Sequence, residues 1–244
     1  MTSISDRRQV IRGTERDLSQ LAPGGFVAHP RQAARISERR SAATKLVQMN
    51  GTTFCVHGGV YDCGADTELV ATETPIKRSD VFLDIGCGNG AASILLAMRS
   101  RGGVGIDISD RAVRNATCNA QRHGVKNVIF AQGDVFGGVD GKFNVVICNP
   151  PYSSSPAKDQ IEMMFWDTAN HMKERFFHDV RRYLARNGRV YFGWATFSDI
   201  DSDLPLRSAR KNGLILTRVW KRAVHTGLYS YLLLEFRESG LSLH

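Results

Sequence analysis

Short apolar runs alternate with amphipathic segments along most of this chain. Four runs bounded by glycine or turn residues predict buried parallel strands over residues 81–85, 103–106, 127–131 and 142–148. A fifth run covers residues 189–195, and two β-rich runs at residues 214–220 and 228–236 predict an antiparallel hairpin. Segments with helical spacing separate several of these runs. Two helices are predicted after the fourth run, over residues 159–169 and 173–185, joined or kinked near residues 170–171. The pattern therefore predicts an α/β fold built on a largely parallel sheet.

Residues 1–50 differ in composition from the rest of the chain, with nine basic residues against four acidic ones. The turn residues 22–25 divide them into two predicted helices, over residues 6–21 and 31–49. We therefore predict a basic helical N-terminal extension, residues 1–50, and one domain of residues 51–244. The extension is either a solvated pair of helices that caps the domain or an arm that recognises the substrate.

A strand over residues 52–57 and a helix that runs toward Thr74 are predicted next. Asp66 is expected to be the N-cap of this helix, with Thr67 in its first turn. The helix precedes the first strand of the predicted sheet, so it is either a lid over a ligand or a plain connection.

The first predicted strand ends in a glycine-rich turn. Asp84 is followed by Gly86, Gly88 and Gly90, and a run of strong helix formers begins at Ala91. Glycine permits positive φ and lets a ligand lie against the backbone, while the following helix offers free N–H groups. A dinucleotide-binding turn has the different spacing G-x-G-x-x-G, so the glycines alone do not name the ligand.

An acidic residue follows each of the next two strands. Asp107 lies 21 residues after Gly86 (107 − 86), which is about where a ribose diol is bound in nucleotide folds. Asp134 is positioned to accept from an adenine amino group, and Phe136 to pack on its ring. The alternatives are a solvated strand end before Ser109 and a loop or cap residue at 134. Together with the glycine turn, Asp107 favours a nucleoside cofactor.

The fourth strand runs into Asn149-Pro150-Pro151-Tyr152. The prolines fix the backbone in an extended form and remove two N–H donors, which leaves the Pro150 carbonyl free to accept. The carboxyl ends of the first and fourth strands face the same crevice in an open α/β sheet. The Asn149 side chain and the Pro150 carbonyl are therefore expected to face the group that reacts with the cofactor.

Composition limits the expected cellular location and the expected kinds of partner, but it does not identify a substrate. No apolar run is long enough to span a membrane, and the N-terminus lacks the apolar core of a secretory signal. The five cysteines form no C-x-x-C pair, which favours reduced thiols in the cytoplasm and argues against a structural metal site. The net charge of +8 permits a nucleic-acid partner but does not establish one.

The ordered motifs LDIGCGNG, GIDIS, GDVF and NPPY resemble those of the class I S-adenosylmethionine-dependent methyltransferases, over about residues 52–237. Within that class, NPPY is typical of enzymes that methylate a planar nitrogen. The upstream GVYDCGADTELV is similar to a segment of the release-factor glutamine N-methyltransferase family, and the helix after NPPY is similar to small RNA guanine methyltransferases. The chain differs from the release-factor family in its shorter N-terminal region and in the three serines after NPPY.

The resemblance implies a Rossmann-like sheet of seven strands in the order 3-2-1-4-5-7-6, with the last strand antiparallel. It implies S-adenosylmethionine as cofactor and no metal. By resemblance, the methionine part is held by Asp84 and the turn from Gly86 to Gly90, the ribose by Asp107 and the adenine edge by Asp134. The remaining positions that it implies for the cofactor are Thr67, Ile108, Val135 and Asn149.

The resemblance also implies a reaction. Asn149 Oδ1 and the Pro150 carbonyl would accept both hydrogens of a planar NH₂ group and turn its lone pair toward the methyl group, with Tyr152 stacked on that group. A protein glutamine is the first candidate acceptor. An exocyclic base amine in RNA or DNA and a small amine or guanidine remain alternatives, and the oligomeric state is open.

Overall fold

The protein is represented by a computed structural model that describes residues 9–11, 25–41, 43–224 and 227–240. Its main sheet contains eight strands in the order β1-β9-β10-β8-β7-β4-β5-β6. The strand bounds are β1 Gln9–Ile11, β4 Val81–Ile85, β5 Gly102–Asp107, β6 Val128–Gln132, β7 Phe143–Cys148, β8 Leu184–Ala195, β9 Leu214–Val224 and β10 Tyr229–Glu238. A separate antiparallel pair consists of β2 Lys45–Met49 and β3 Thr52–Val56.

The predicted sheet order is confirmed. Counting from β4 as the first strand, β6-β5-β4-β7-β8-β10-β9 reads 3-2-1-4-5-7-6. The strands β4 to β8 pair in parallel, whereas β10 runs antiparallel to both of its neighbours. The short strand β1 adds an eighth member at the β9 edge. The turns after β4 and β7 consequently open on the same edge of the sheet.

Helices cover both faces of the sheet. Their bounds are α1 His29–Ser41, α2 Ala65–Glu73, α3 Ala91–Ala97, α4 Asp110–Arg122, α5 Gln160–Met163, α6 His171–Asp179 and α7 Leu204–Lys211. One core layer contains apolar residues of α2, α3 and α4, and the other contains those of α6 and α7. No helix in the described ranges has both the length and the hydropathy needed to cross a bilayer.

The N-terminal region departs from the predicted pair of helices. The second helix is present as α1, but it ends at Ser41, and Lys45–Met49 is the strand β2. Asn50 and Gly51 both have positive φ, 48° and 74°, and join β2 to β3 in a tight turn. Asn-Gly between alternating residues is a strong hairpin signal that outweighs the helical spacing. Of the first predicted helix, residues 9–11 form a strand, and the rest lies outside the described residues.

The two helices predicted after NPPY, with a join or kink near residues 170–171, are shorter than predicted. The side chain of Asp159 caps α5, which ends after one turn, and Ala169 and Asn170 then adopt positive φ of 53° and 60°. The chain therefore turns sharply before α6 begins, which confirms the predicted kink near Asn170. The strand β8 starts at Leu184, where the sequence predicted helix. Helix propensity is only a weak preference, and from Leu184 onward the chain pairs with β7 and, further along, with β10 instead.

Candidate functional site

The carboxyl ends of β4, β5, β6 and β7 open into one cavity of about 690 Å³. Residues of α1, α2, the segment 157–172 and the β9–β10 hairpin complete its wall. All predicted site residues except Gly90 line it: Thr67, Asp84, Gly86, Gly88, Asp107, Ile108, Asp134, Val135, Asn149, Pro150 and Tyr152. The topology thus gathers side chains from five separate stretches of sequence.

The three glycines of the turn have different roles. Gly86 and Gly88 have φ of 77° and 56°, and a Cβ on either would meet no atom within 4 Å, so their backbone is open to a ligand. Gly90 caps α3 with φ of 79°, and its Cβ would lie 2.8 Å from that of Ala116. Gly90 is therefore required for close packing of α3 against α4, not for contact with the cavity.

Asp107 is held by backbone donors at the end of β5. Its Oδ2 accepts from the N–H of Gly88 and its Oδ1 from that of Ser109, both at 2.9 Å. Burial raises the pKa of this carboxyl, and the two N–H donors oppose the rise. Each carboxylate oxygen keeps a second lone pair, so the two oxygens can accept from the two hydroxyls of a ribose diol. The neighbouring Ile108 is 37% exposed and offers an apolar surface for a base.

Asp84 is a buried carboxyl at the end of β4. It accepts a hydrogen bond from the Ser93 hydroxyl. Burial raises the pKa of Asp84 to about 7, Ser93 opposes the rise and the charge of Asp107 adds to it. A cation in the cavity would favour the ionised form of this group.

The third predicted cofactor segment has an unforeseen partner. Asp134 is exposed at the cavity edge and forms an ion pair with Arg175 of α6, while Val135 lies buried on the wall with φ of 54°. Phe136 was expected beside the adenine, and this interpretation is wrong. Its ring stacks on Tyr183 at 4.4 Å in the core and does not line the cavity.

Asp66 is not the N-cap of α2, because Gly64 occupies that position. The Asp66 side chain instead crosses to the NPPY loop, where its Oδ2 accepts from Asn149 Nδ2 at 3.1 Å and from the Tyr61 hydroxyl at 2.9 Å. Thr67, the next residue, lies on the cavity wall. The sequence predicted a local cap at Asp66 because Asn149, the residue that it contacts, is 83 residues away in the chain.

The NPPY loop presents two acceptors. Asn149 Oδ1 accepts from the Tyr152 hydroxyl at 2.9 Å and retains one lone pair. Among the described residues, no backbone N–H donates to the Pro150 carbonyl. Burial raises the pKa of Tyr152 well above its ordinary value, and the charge of Asp66 adds to this, so the phenol stays a donor.

Lys173 is a supporting residue that sequence reasoning missed. Its side chain is fully buried, and Nζ donates to the Pro151 carbonyl at 2.9 Å and to Asp167 Oδ2 at 3.0 Å. Burial lowers the pKa of Lys173, and Asp167 opposes this effect. The same carboxyl accepts from the backbone N–H groups of Met172 and Lys173. This buried pair ties the NPPY loop to the start of α6.

A sequence profile described as a methyltransferase domain matches residues 76–233. The chain belongs to this methyltransferase family. The methyltransferase therefore has the class I fold and uses S-adenosylmethionine. The open backbone of Gly86 and Gly88, the carboxyl of Asp107 and the apolar Ile108 suit the amino-acid, ribose and base portions of that cofactor.

The names of relatives of the methyltransferase refer to more than one kind of substrate. A protein of Methanocaldococcus jannaschii, provisionally named a protein N5-glutamine methyltransferase, is 32% identical over 59% of this chain and 77% of its own. The ribosomal RNA small subunit methyltransferase C of Chromohalobacter salexigens is 29% identical over 52% of this chain and 40% of its own. The solved ribosomal protein L11 methylase of Lactobacillus delbrueckii subsp. bulgaricus shares the fold, with a TM-score of 0.56 and 17% identity over 75% of this chain and 84% of that one.

Replacing Asp107 with alanine is expected to weaken S-adenosylmethionine binding by about 1.5–3 kcal/mol, the range for a charge-assisted hydrogen bond. Isothermal calorimetry measures this loss. Asp110→Ala is the matched control, because that carboxyl is half exposed at the start of α4 and pairs with Arg114. Wild-type affinity in Asp107→Ala would remove Asp107 from the cofactor site.

Gly193→Ala in β8 tests the position of Asn149. A Cβ at Gly193 would lie 2.2 Å from Asn149 Oδ1, so the amide must move. A displacement of about 1 Å near the reacting atoms costs roughly 10²-fold in rate, and we expect a loss of that size in kcat. In the Asn149→Ala background the same substitution should add little. Independent, additive losses would mean that Gly193 acts by another route.

Proposed function

We propose that this methyltransferase transfers a methyl group to the side-chain amide nitrogen of a protein glutamine. The observation that carries the proposal is the pair of adjacent acceptors on the NPPY loop, Asn149 Oδ1 and the Pro150 carbonyl, on the wall of the cofactor cavity. The relative from Methanocaldococcus jannaschii supports glutamine as the acceptor through its name.

The residues act by positioning and electrostatics. An amide NH₂ has its lone pair in conjugation, and the two acceptors hold both hydrogens so that the nitrogen can pyramidalise. S-adenosylmethionine, held by Asp107 and the turn at Gly86 and Gly88, would supply an electrophilic methyl group on a sulfonium, whose sulfur would keep the carbon–sulfur electron pair as the nitrogen–carbon bond forms. The methylated nitrogen then releases one proton to water. The two hydrogens of the substrate nitrogen become more positive as the reaction proceeds, so their bonds to Asn149 Oδ1 and the Pro150 carbonyl are strongest in the transition state.

A second candidate is the exocyclic amine of a nucleic-acid base, which presents the same two hydrogens on a planar group. Aromatic side chains of Tyr61, Phe165 and Trp166 line the cavity and suit a stacked base. The net charge of +8 and the ribosomal RNA relative also favour this candidate.

The deciding experiment is transfer of a radiolabelled methyl group from S-adenosylmethionine into fractionated protein, RNA, DNA and small metabolites. Label in protein that is released as methylamine on acid hydrolysis identifies a methylated side-chain amide. Label in nucleic acid, with binding that weakens steeply as salt rises, identifies the base candidate. Label confined to small metabolites overturns both.

A further inference from the structure

The buried carboxylate of Asp66 has no assigned role in the reaction, yet it contacts the amide at the centre of the site. It is 4% exposed, lies at the start of α2 and lines the cavity. Its Oδ2 accepts from Asn149 Nδ2 at 3.1 Å and from the Tyr61 hydroxyl at 2.9 Å, and the Tyr152 hydroxyl lies 3.5 Å away. These contacts join α2 to the end of β7.

An asparagine amide is nearly symmetric in shape, so its environment must decide which end faces the substrate. The Tyr152 hydroxyl donates to Asn149 Oδ1 at 2.9 Å but does not decide this alone, because a hydroxyl could also accept from the amide nitrogen of the reversed orientation. An ionised carboxylate only accepts. Asp66 is therefore the neighbour that requires the amide nitrogen on its own side and leaves the oxygen on the other.

We propose that Asp66 is a positioning residue that fixes the amide orientation of Asn149, so that Oδ1 accepts from the nitrogen to be methylated. The inference rests on the proposed N-methyl transfer. The opposite orientation would present an NH₂ group to the NH₂ of the substrate and repel it. Asp66 thus acts through Asn149 and does not itself touch the reacting atoms.

Asp66→Asn is the first test, because it keeps the shape of the side chain and supplies a donor. The new amide can donate to Asn149 Oδ1 and thereby favours the reversed orientation. We expect kcat to fall by about 10²–10³-fold, the scale for one preorganised polar contact, while the affinity for S-adenosylhomocysteine is nearly unchanged. Asp80→Asn is the matched control, since Asp80 is also a buried carboxyl but pairs with Arg189 at the opposite edge of the sheet.

The exchange Asp66→Asn/Asn149→Asp is the decisive variant. It places the donor at position 66 and an acceptor-only group at position 149, with the same total charge. We expect it to be at least tenfold more active than Asp66→Asn and than Asn149→Asp, in which two carboxylates face each other. A purely structural role for Asp66 predicts no such rescue. If Asp66→Asn alone fails to fold, the activity of the exchange variant can still be compared with that of Asn149→Asp.

A binding measurement supplies a readout without turnover. Sinefungin carries an amine where the cofactor carries its methylsulfonium, whereas S-adenosylhomocysteine has no donor there. The ratio of the two affinities therefore measures whether Asn149 presents an acceptor to that amine. Asp66→Asn should lower this ratio by about 10–100-fold, and the exchange should restore it. An unchanged ratio together with wild-type kcat overturns the inference. If the wild-type protein labels no glutamine but the ratio shifts as expected, the proposed substrate fails and the role of Asp66 stands.

Discussion

Asn149→Ala is expected to lower kcat by about 10²–10³-fold while the affinity for S-adenosylmethionine remains close to that of the wild type. The Asn149 oxygen is proposed to accept from the reacting nitrogen, and this contact strengthens as the nitrogen pyramidalises. An interaction made mainly in the transition state appears in kcat when it is lost. Single-turnover transfer and calorimetry measure the two quantities separately.

Asn144→Ala is a suitable control for this substitution. Asn144 lies near the start of β7, at the opposite end from Asn149, and its Oδ1 accepts from the Val81 N–H at 2.9 Å. Its loss should reduce stability without a selective effect on kcat. Wild-type turnover in Asn149→Ala, with the fold and cofactor binding intact, would contradict the orientation of the acceptor by Asn149 and remove the main support for N-methylation.

The parts of the site that sequence predicted are those whose geometry is local. A glycine turn directly after a strand fixes its own backbone, and the parallel arrangement of strands brings Gly86 and Asn149 to one edge. Asp107 follows from the same rule, because β5 lies beside β4. The cavity wall at the strand ends was therefore predictable from the motifs, whereas the sheet order was predicted from the family resemblance.

The missed features depend on contacts between distant segments. Asp66 was interpreted as a helix cap, although its carboxylate bonds Asn149 across 83 residues of sequence. Lys173 stood in a predicted helix, where a lysine is ordinarily solvated, but its side chain is fully buried beside Asp167 and Trp194. The Asn50-Gly51 turn is different: its hairpin signal was present in the sequence and was outweighed by helical spacing.

Lys173→Met is expected to reduce the free energy of unfolding by about 3–5 kcal/mol, because it leaves the buried Asp167 carboxylate without its cation. The Pro151 carbonyl also loses its donor. Chemical denaturation measures the change. Arg114→Met removes the exposed i,i+4 partner of Asp110 and should cost less than about 0.5 kcal/mol, which sets the scale for a surface pair.

The double variant Lys173→Met/Asp167→Asn separates stability from positioning. Removing both charges eliminates the unpaired carboxylate. The amide oxygen at 167 can keep one of the two backbone bonds, from Met172 or from residue 173, because these N–H groups donate to separate oxygens of Asp167. Part of the lost stability should return. The Pro151 carbonyl still lacks a donor, so the NPPY loop remains loose and kcat should stay low at temperatures where the protein is fully folded. Recovery of both stability and kcat would mean that Lys173 serves the fold alone, and that the remaining contacts of the NPPY loop are sufficient to hold Asn149 and Pro150 in place.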